Sequence, residues 1–191
     1  KGRPAVLLHG LASNARIWEL AAPYLAESGL RVFAPDLRDH GLSDKPDGET
    51  SFDVYARDLA AFLNLLDLER PLLVGHSWGA MLALDYAARF PAGPRSPAGL
   101  VLVDGALNQL DDFPGATWES VRERLAPPRL AGMPLDAFLH RLRRPNPRWQ
   151  PDEQAEQIIL ANFEIAEDDT ISPRLTFERH MQIVRAMWEF P

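Results

Sequence analysis

The sequence has 191 residues, 46% of them hydrophobic, so it is long enough to bury one core. Its net charge of −7 argues against nucleic-acid or anionic-membrane partners, because both bind clustered Lys and Arg. The absence of cysteine excludes disulfides, thiolate catalysis and cysteine metal ligands. No apolar stretch approaches the roughly 18 residues that span a bilayer. We therefore expect a cytoplasmic globular protein whose partner is a small molecule.

Short apolar runs alternate with helical patterns through the first half of the chain. The apolar runs cover residues 5–8, 31–34, 72–74 and 100–103. Their unbroken apolar character is typical of parallel strands that are covered on both faces. Helical spacing occurs over residues 17–26, 52–66 and 81–90, and Ser51 is suited to cap the second helix. This order predicts an α/β fold with a doubly wound, mostly parallel sheet.

The second half of the sequence differs, because from about Gly115 onward it shows helical patterns without a strand run. One apolar stripe covers residues 155–166 and another covers residues 177–188. Ser172 is the expected N-cap of the last helix, with Pro173 as its first residue. We expect residues 1–106 to form the sheet domain and residues 107–191 to form a helical cap subdomain.

The strongest chemical signal is the pentapeptide Gly75-His76-Ser77-Trp78-Gly79, which follows an apolar strand and opens a helix. A serine at such a sharp strand-to-helix turn is pushed outward above the carboxyl edge of the sheet. Glycines are needed there because a Cβ would clash with the neighbouring backbone. The pattern therefore predicts that Ser77 is a catalytic nucleophile, against the plainer alternative of a turn serine.

A second signal is His9-Gly10-Leu11, which directly follows the first predicted strand. A small residue here allows the loop to approach the nucleophile with a backbone N–H. The N–H groups of Leu11 and Trp78 are the expected oxyanion hole. We expect His9, Gly10 and His76 to shape the site, with His9 a loop-organising hydrogen bonder.

These motifs resemble those of the α/β-hydrolase superfamily, in the branch that carries a helical cap. The segment 36–43, Asp-Leu-Arg-Asp-His-Gly-Leu-Ser, resembles a loop that usually reads Asp-x-Arg-Gly-His-Gly-x-Ser. Asp39 replaces the first glycine of that loop, which affects a structural turn. His40 is accordingly expected to be structural.

The resemblance also narrows the reaction. In that superfamily the strand-to-helix turn, here residues 75–79, is called the elbow. Relatives that open epoxides or displace halide carry Asp at the position of Ser77, because their intermediate is an alkyl ester. A serine suits attack on a carbonyl, so we expect hydrolysis of a small ester-like or lactone-like substrate through an acyl-enzyme, without a cofactor. Trp78 is expected to wall the pocket.

The triad of this superfamily runs in the order Ser, acid, His, and its last two members are not evident here. His140 and His180 are the only histidines after Ser77, and both fall in helical patterns. Asp104 ends the fourth strand, where some members carry the acid, although loop hydrogen bonding is the default reading. We therefore expect this sequence to be part of a longer chain and to lack the catalytic His. The missing C-terminal portion of the same protein is then expected to pack against it.

Two other functions remain open at this point. Cleavage of a carbon–carbon bond in a diketone-like acid would be favoured by a cap arginine, such as Arg179 or Arg185, facing a substrate carboxylate. A ligand-binding protein that kept the fold without turnover is the non-enzymatic alternative. No metal site is expected, because His9, His40 and His76 lie on separate loops without ligand spacing.

Overall fold

A computed structural model describes residues 2–107, 109–112, 114–145 and 150–190. Four parallel strands form its main sheet, in the spatial order β2-β1-β3-β4. Their bounds are Pro4–Leu8 (β1), Arg31–Phe33 (β2), Leu72–His76 (β3) and Gly99–Val103 (β4). All four predicted strands and the parallel pairing are confirmed.

Helices connect these strands, as the alternating pattern predicted. Their bounds are Ala22–Glu27 (α1), Phe52–Leu65 (α2) and Trp78–Arg89 (α3). Ser51 caps α2 by accepting a hydrogen bond from the N–H of Val54, as expected. The helix expected over residues 17–26 is instead a 3-10 helix at Ala15–Trp18 followed by α1, because Pro23 starts a new helix.

The hydrophobic core lies between the sheet and the helices α2 and α3. Its largest fully buried side chains include Trp78, Tyr55 and Tyr86. Strand β4 differs from the expectation that every strand is covered on both faces. It lies at one edge of the sheet, and Val101 and Val103 are 48% and 39% exposed.

Residues 107–190, called the C-terminal region below, contain both helices and strands. The helices are Trp118–Leu125 (α4), Leu135–Leu142 (α5), Glu153–Leu160 (α6) and Phe177–Trp188 (α7). The strands are Met133–Pro134 (β5), Phe163–Ile165 (β6) and Thr170–Pro173 (β7). They pair antiparallel in the order β5-β7-β6. The expectation that this region has no strand is therefore wrong.

Two expected helix bounds are wrong because the residues concerned belong to strands. The stripe over residues 155–166 ends as a helix at Leu160, and its last part belongs to β6. Ser172 does not cap α7, because it lies in β7; Thr176 caps α7 by accepting from the N–H of Arg179. The boundary at residues 106 and 107 stays a prediction.

No helix among the described residues is both long and apolar enough to cross a membrane.

Candidate active site

The turn between β3 and α3 places Ser77 in a backbone conformation that side chains rarely adopt. Its φ is 52° and its ψ is −118°. The Ser77 N–H donates to the carbonyl of Val103 over 2.8 Å, while its own carbonyl accepts from Ala80 N–H. Both bonds tie the turn to its neighbours, which holds the strained conformation in place.

Three glycines allow neighbouring backbone to approach this turn. A Cβ at Gly75 would collide with the backbone of Gly79 and Ala80. A Cβ at Gly79 would lie 2.5 Å from the carbonyl oxygen of His9, and one at Gly105 would lie 2.7 Å from that of Ser77. The glycines therefore bring three strand ends together around one serine, as the pattern at residues 75–79 predicts.

The loop after β1 lies beside the elbow. A Cβ at Gly10 would come within 2.9 Å of His76 Nδ1, so the glycine makes room for that imidazole. The N–H groups of Leu11 and Trp78 donate to no protein group in the described part of the chain. Trp78 directly follows the half-buried Ser77, and Leu11 follows the Gly10 that packs against His76.

His9 is buried and organises the loop through both ring nitrogens. Its Nδ1–H donates to the carbonyl of Gly10 over 2.9 Å, and its Nε2 accepts from the N–H of Leu37 over 3.0 Å. Because the carbonyl can only accept, the ring is the neutral Nδ1–H tautomer. Burial lowers the pKa of His9, which favours the same neutral form. These contacts agree with a loop-organising role.

His40 is also buried, next to the first residue of α3. Its Nδ1–H donates to the carbonyl of Arg38, and its ring stacks on Trp78 with centroids 5.2 Å apart. Burial lowers the pKa of His40 to about 3. The ring is therefore neutral near pH 7 and packs as an aromatic group, which agrees with a structural role.

The segment 36–43 is held by its own side chains. The carboxylate of Asp36 accepts N–H bonds from Ala15 and Leu42 over 2.7 and 2.8 Å. Arg38 forms a two-bond ion pair with Asp58, and Ser43 donates to the carbonyl of Asp36. This network fixes the loop that carries His40 against the elbow.

Trp78 differs from expectation, because its side chain does not wall a pocket. It is fully buried in the core, where it packs on His40 and meets Tyr55 edge-on at 4.8 Å. The sequence pattern at residues 75–79 predicts the backbone conformation at Trp78 but not where its side chain packs.

The histidines after the elbow form no hydrogen bond with Ser77. His180 is buried and its Nε2–H donates to the carbonyl of Leu125, while His140 is exposed on α5. Ser77 forms no side-chain hydrogen bond with any described residue. The structure therefore brings no histidine to the Ser77 hydroxyl.

Asp104 follows β4 with a φ of 51°, and its side chain is exposed. Its neighbour Gly105 touches the Ser77 backbone, so the carboxylate leaves the sheet close to the elbow. No histidine is bonded to it among the described residues. No group of three or more acidic or histidine side chains in the described ranges could hold a metal ion.

The family-level comparison is clear. The sequence model of the protein family described as "alpha/beta hydrolase fold" matches residues 4–157. The chain therefore belongs to the α/β-hydrolase fold family.

Relatives and solved structures agree with that assignment. A haloalkane dehalogenase from Mesorhizobium japonicum is 42% identical over 90 residues, which is 47% of this chain and 29% of the relative. A porcine bifunctional epoxide hydrolase 2 is 37% identical over 100 residues, or 51% of this chain and 18% of the relative. The crystal structure of an E-2-(acetamidomethylene)succinate hydrolase superposes with a TM-score of 0.73 at 24% identity. That match covers 98% of this chain and 66% of the solved one. The matched stretches thus span under a third of these two curated relatives.

Proposed function

We propose that this chain carries the nucleophile and oxyanion donors of a serine hydrolase that cleaves a small ester-like or lactone-like substrate. The observation that carries the proposal is the strained turn at Ser77, flanked by the unpaired N–H groups of Leu11 and Trp78. Strain of this kind persists only where surrounding contacts enforce it, and it is common at reacting groups.

The proposed reaction has two halves. Ser77 Oγ attacks the carbonyl carbon, its proton passes to a base, and the alcohol leaves with a proton as the acyl-enzyme forms. The Leu11 and Trp78 N–H groups stabilise the oxygen that becomes negative. Water then adds to the acyl carbon, releasing the acid and restoring the Ser77 hydroxyl.

None of the five histidines bonds the Ser77 hydroxyl in the described part of the chain. Both nitrogens of His9 bond the backbone, His40 lies buried under the elbow, and His180 bonds Leu125. We therefore propose that the base comes from polypeptide outside these 191 residues, and that the C-terminal region acts as a cap.

The nucleophile argues against the reactions named for the two curated relatives. Opening an epoxide or displacing halide through an alkyl ester requires a carboxylate at the elbow, whereas this chain has a serine alcohol. Carbon–carbon cleavage of a diketone-like acid stays a second candidate, because arginines of the C-terminal region line a cavity that reaches the loop after β1. Neither Arg179 nor Arg185 is among them.

Labelling with a fluorophosphonate tests the nucleophile directly. We expect the protein to be labelled, Ser77→Ala to abolish labelling, and the exposed Ser28→Ala to leave it unchanged. Turnover of a chromogenic ester panel should be lost in parallel. Equal labelling of the Ser77→Ala variant would refute the assignment, and a folded protein without any labelling would favour the ligand-binding alternative.

A further inference from the structure

A cavity of about 450 Å³ lies between the sheet domain and the C-terminal region. Ala12, Ser13 and Gly41 form one wall, and residues 127–131 and 172–178 form most of the opposite wall. Ser77 itself does not line the cavity. Ala12 directly follows the proposed oxyanion donor Leu11, so the cavity reaches the loop that packs against His76.

A hydrogen bond holds the two walls together. Asn14 donates from Nδ2 to Oδ1 of Asn162 over 2.7 Å. Asn14 is buried, and Asn162 itself lines the cavity. The walls are therefore joined at a fixed point close to the loop after β1.

Arg174 lines this cavity, and its guanidinium is only partly paired. Its Nη1 donates to Oε1 of Glu164 over 3.1 Å, but Nε is buried without a hydrogen-bond partner in the described residues. Glu164 is 66% exposed, so solvent weakens its attraction for the guanidinium. Nη2 forms no hydrogen bond with a described residue, so the guanidinium keeps donors for a charged acceptor.

A second arginine lies in the lining of the cavity. Arg129 also lines it, with its guanidinium 4.2 Å from the ring centre of Phe177. Glu178 is the one carboxylate among the described lining residues, and Glu164 pairs with Arg174 from outside the lining. His180 is held neutral near pH 7, because burial lowers its pKa. Two guanidinium groups in one lining favour an anion as the ligand.

We propose that this cavity recognises a carboxylate on the substrate, with Arg174 as the residue that binds it and Arg129 as a second cation. A guanidinium offers parallel N–H donors that match the two oxygens of a carboxylate. The proposal rests on the serine hydrolase function above and adds a substrate class to it: esters that carry a negative charge. Phe163 and Phe177 supply apolar surface for the rest of the molecule.

Matched ester pairs test the proposal in the whole protein. Mono-4-nitrophenyl succinate and 4-nitrophenyl butanoate differ by a carboxylate on the acyl side, and 4-acetoxybenzoate and phenyl acetate differ by one on the alcohol side. We expect the charged member of at least one pair to have the higher kcat/KM. Arg174→Gln should lower that ratio by about tenfold or more, mainly through KM.

Two further variants separate recognition from folding. Glu164→Gln breaks the same ion pair but keeps Arg174, so the ratio should stay or rise. Arg57→Gln removes an exposed, remote arginine and should leave the ratio unchanged. A ratio near one in the unmodified protein for both pairs would overturn the proposal. An equal fall in Glu164→Gln and Arg174→Gln would also overturn it.

Ligand binding to the Ser77→Ala protein distinguishes failure of the anion-site proposal from failure of the proposed hydrolase function. Monomethyl succinate titrated calorimetrically should bind, and the added change Arg174→Gln should weaken binding by about tenfold. Binding without turnover of any ester would reject the hydrolase and keep the anion site. Turnover of neutral esters with no binding of monomethyl succinate would reject the anion site and keep the hydrolase.

Discussion

Arg179 of α7 forms an ion pair with Asp39, and its Nε lies 3.7 Å from the buried Oδ1 atom of that carboxylate. Asp39 is 1% exposed and accepts a hydrogen bond from the Tyr55 hydroxyl. Arg179 also donates to the carbonyl of Gly48 and the hydroxyl of Thr50. One side chain therefore joins the C-terminal region to the loop that packs beneath Ser77.

Arg179→Met should lower the free energy of unfolding by about 3 kcal/mol, because it leaves the Asp39 carboxylate buried without its cation. Urea denaturation at pH 7 measures this loss. Arg57→Met is the control; Arg57 is 68% exposed in its ion pair with Asp53, and its loss should cost less than about 1 kcal/mol.

The double variant Arg179→Met with Asp39→Gly checks the cause. Glycine removes the buried charge and suits the φ of 69° at this position, so part of the lost stability should return. A double variant as unstable as the sum of the single changes would contradict a buried-charge origin.

Gly79→Ala should destabilise the protein by about 2 kcal/mol and slow fluorophosphonate labelling of Ser77. Its new Cβ would lie 2.5 Å from the carbonyl oxygens of Leu8 and His9, and backbone at a sheet cannot easily shift. Gly99→Ala is the matched control, since its Cβ would meet only a Leu72 side-chain methyl at 3.3 Å. Similar stability and labelling in the two variants would show that the elbow does not need the close approach.

Much of the main sheet and of the elbow could be predicted because their signals are local. Four apolar runs set the strands, and the glycines around Ser77 report a close backbone approach that a sequence pattern can carry. The role of Asp39 was harder to predict. Its replacement of a glycine was visible, but its cation Arg179 lies 140 positions away, and only the packing of α7 brings them together.

The sheet of the C-terminal region escaped prediction for a physical reason. Strands β5, β6 and β7 have two, three and four residues, too short for alternation to stand out from helical spacing. One signal could have been used: Asp168-Asp169 separates the apolar residues Ile165 and Ile171, and such a pair favours a turn. No local sequence signal could identify Arg129 and Arg174 as cavity residues. The cavity forms only when segments far apart in the sequence pack together.

Stability should fall as the pH is lowered from about 7 to 5, because His9, His40 and His180 all have lowered pKa values in the folded protein. Below the ordinary histidine pKa of about 6.5, these histidines are protonated in the unfolded chain but stay neutral in the folded chain. Acid therefore favours unfolding. For His40, whose folded pKa is about 3, this loss continues through the whole interval.

Urea denaturation at several pH values gives the slope, and each such histidine contributes up to about 1.4 kcal/mol per pH unit. His40→Gln should flatten the slope, since glutamine can still donate to the carbonyl of Arg38 but does not titrate. The exposed His140→Gln should leave the slope unchanged. An unchanged slope in His40→Gln would contradict a neutral buried ring.

Ile171 and Ile165 face each other in the β6–β7 register, yet they differ in burial. Ile171 is fully buried and Ile165 is 49% exposed. Ile171→Ala should therefore lower the free energy of unfolding by about 3 kcal/mol, through lost burial and the cavity left behind. Ile165→Ala removes the same atoms from an exposed position, so its cost should stay below about 1 kcal/mol. Urea denaturation measures both variants, which differ only in position because each is an Ile→Ala change. Equal losses of unfolding free energy would mean that the antiparallel pairing or its buried face is misassigned.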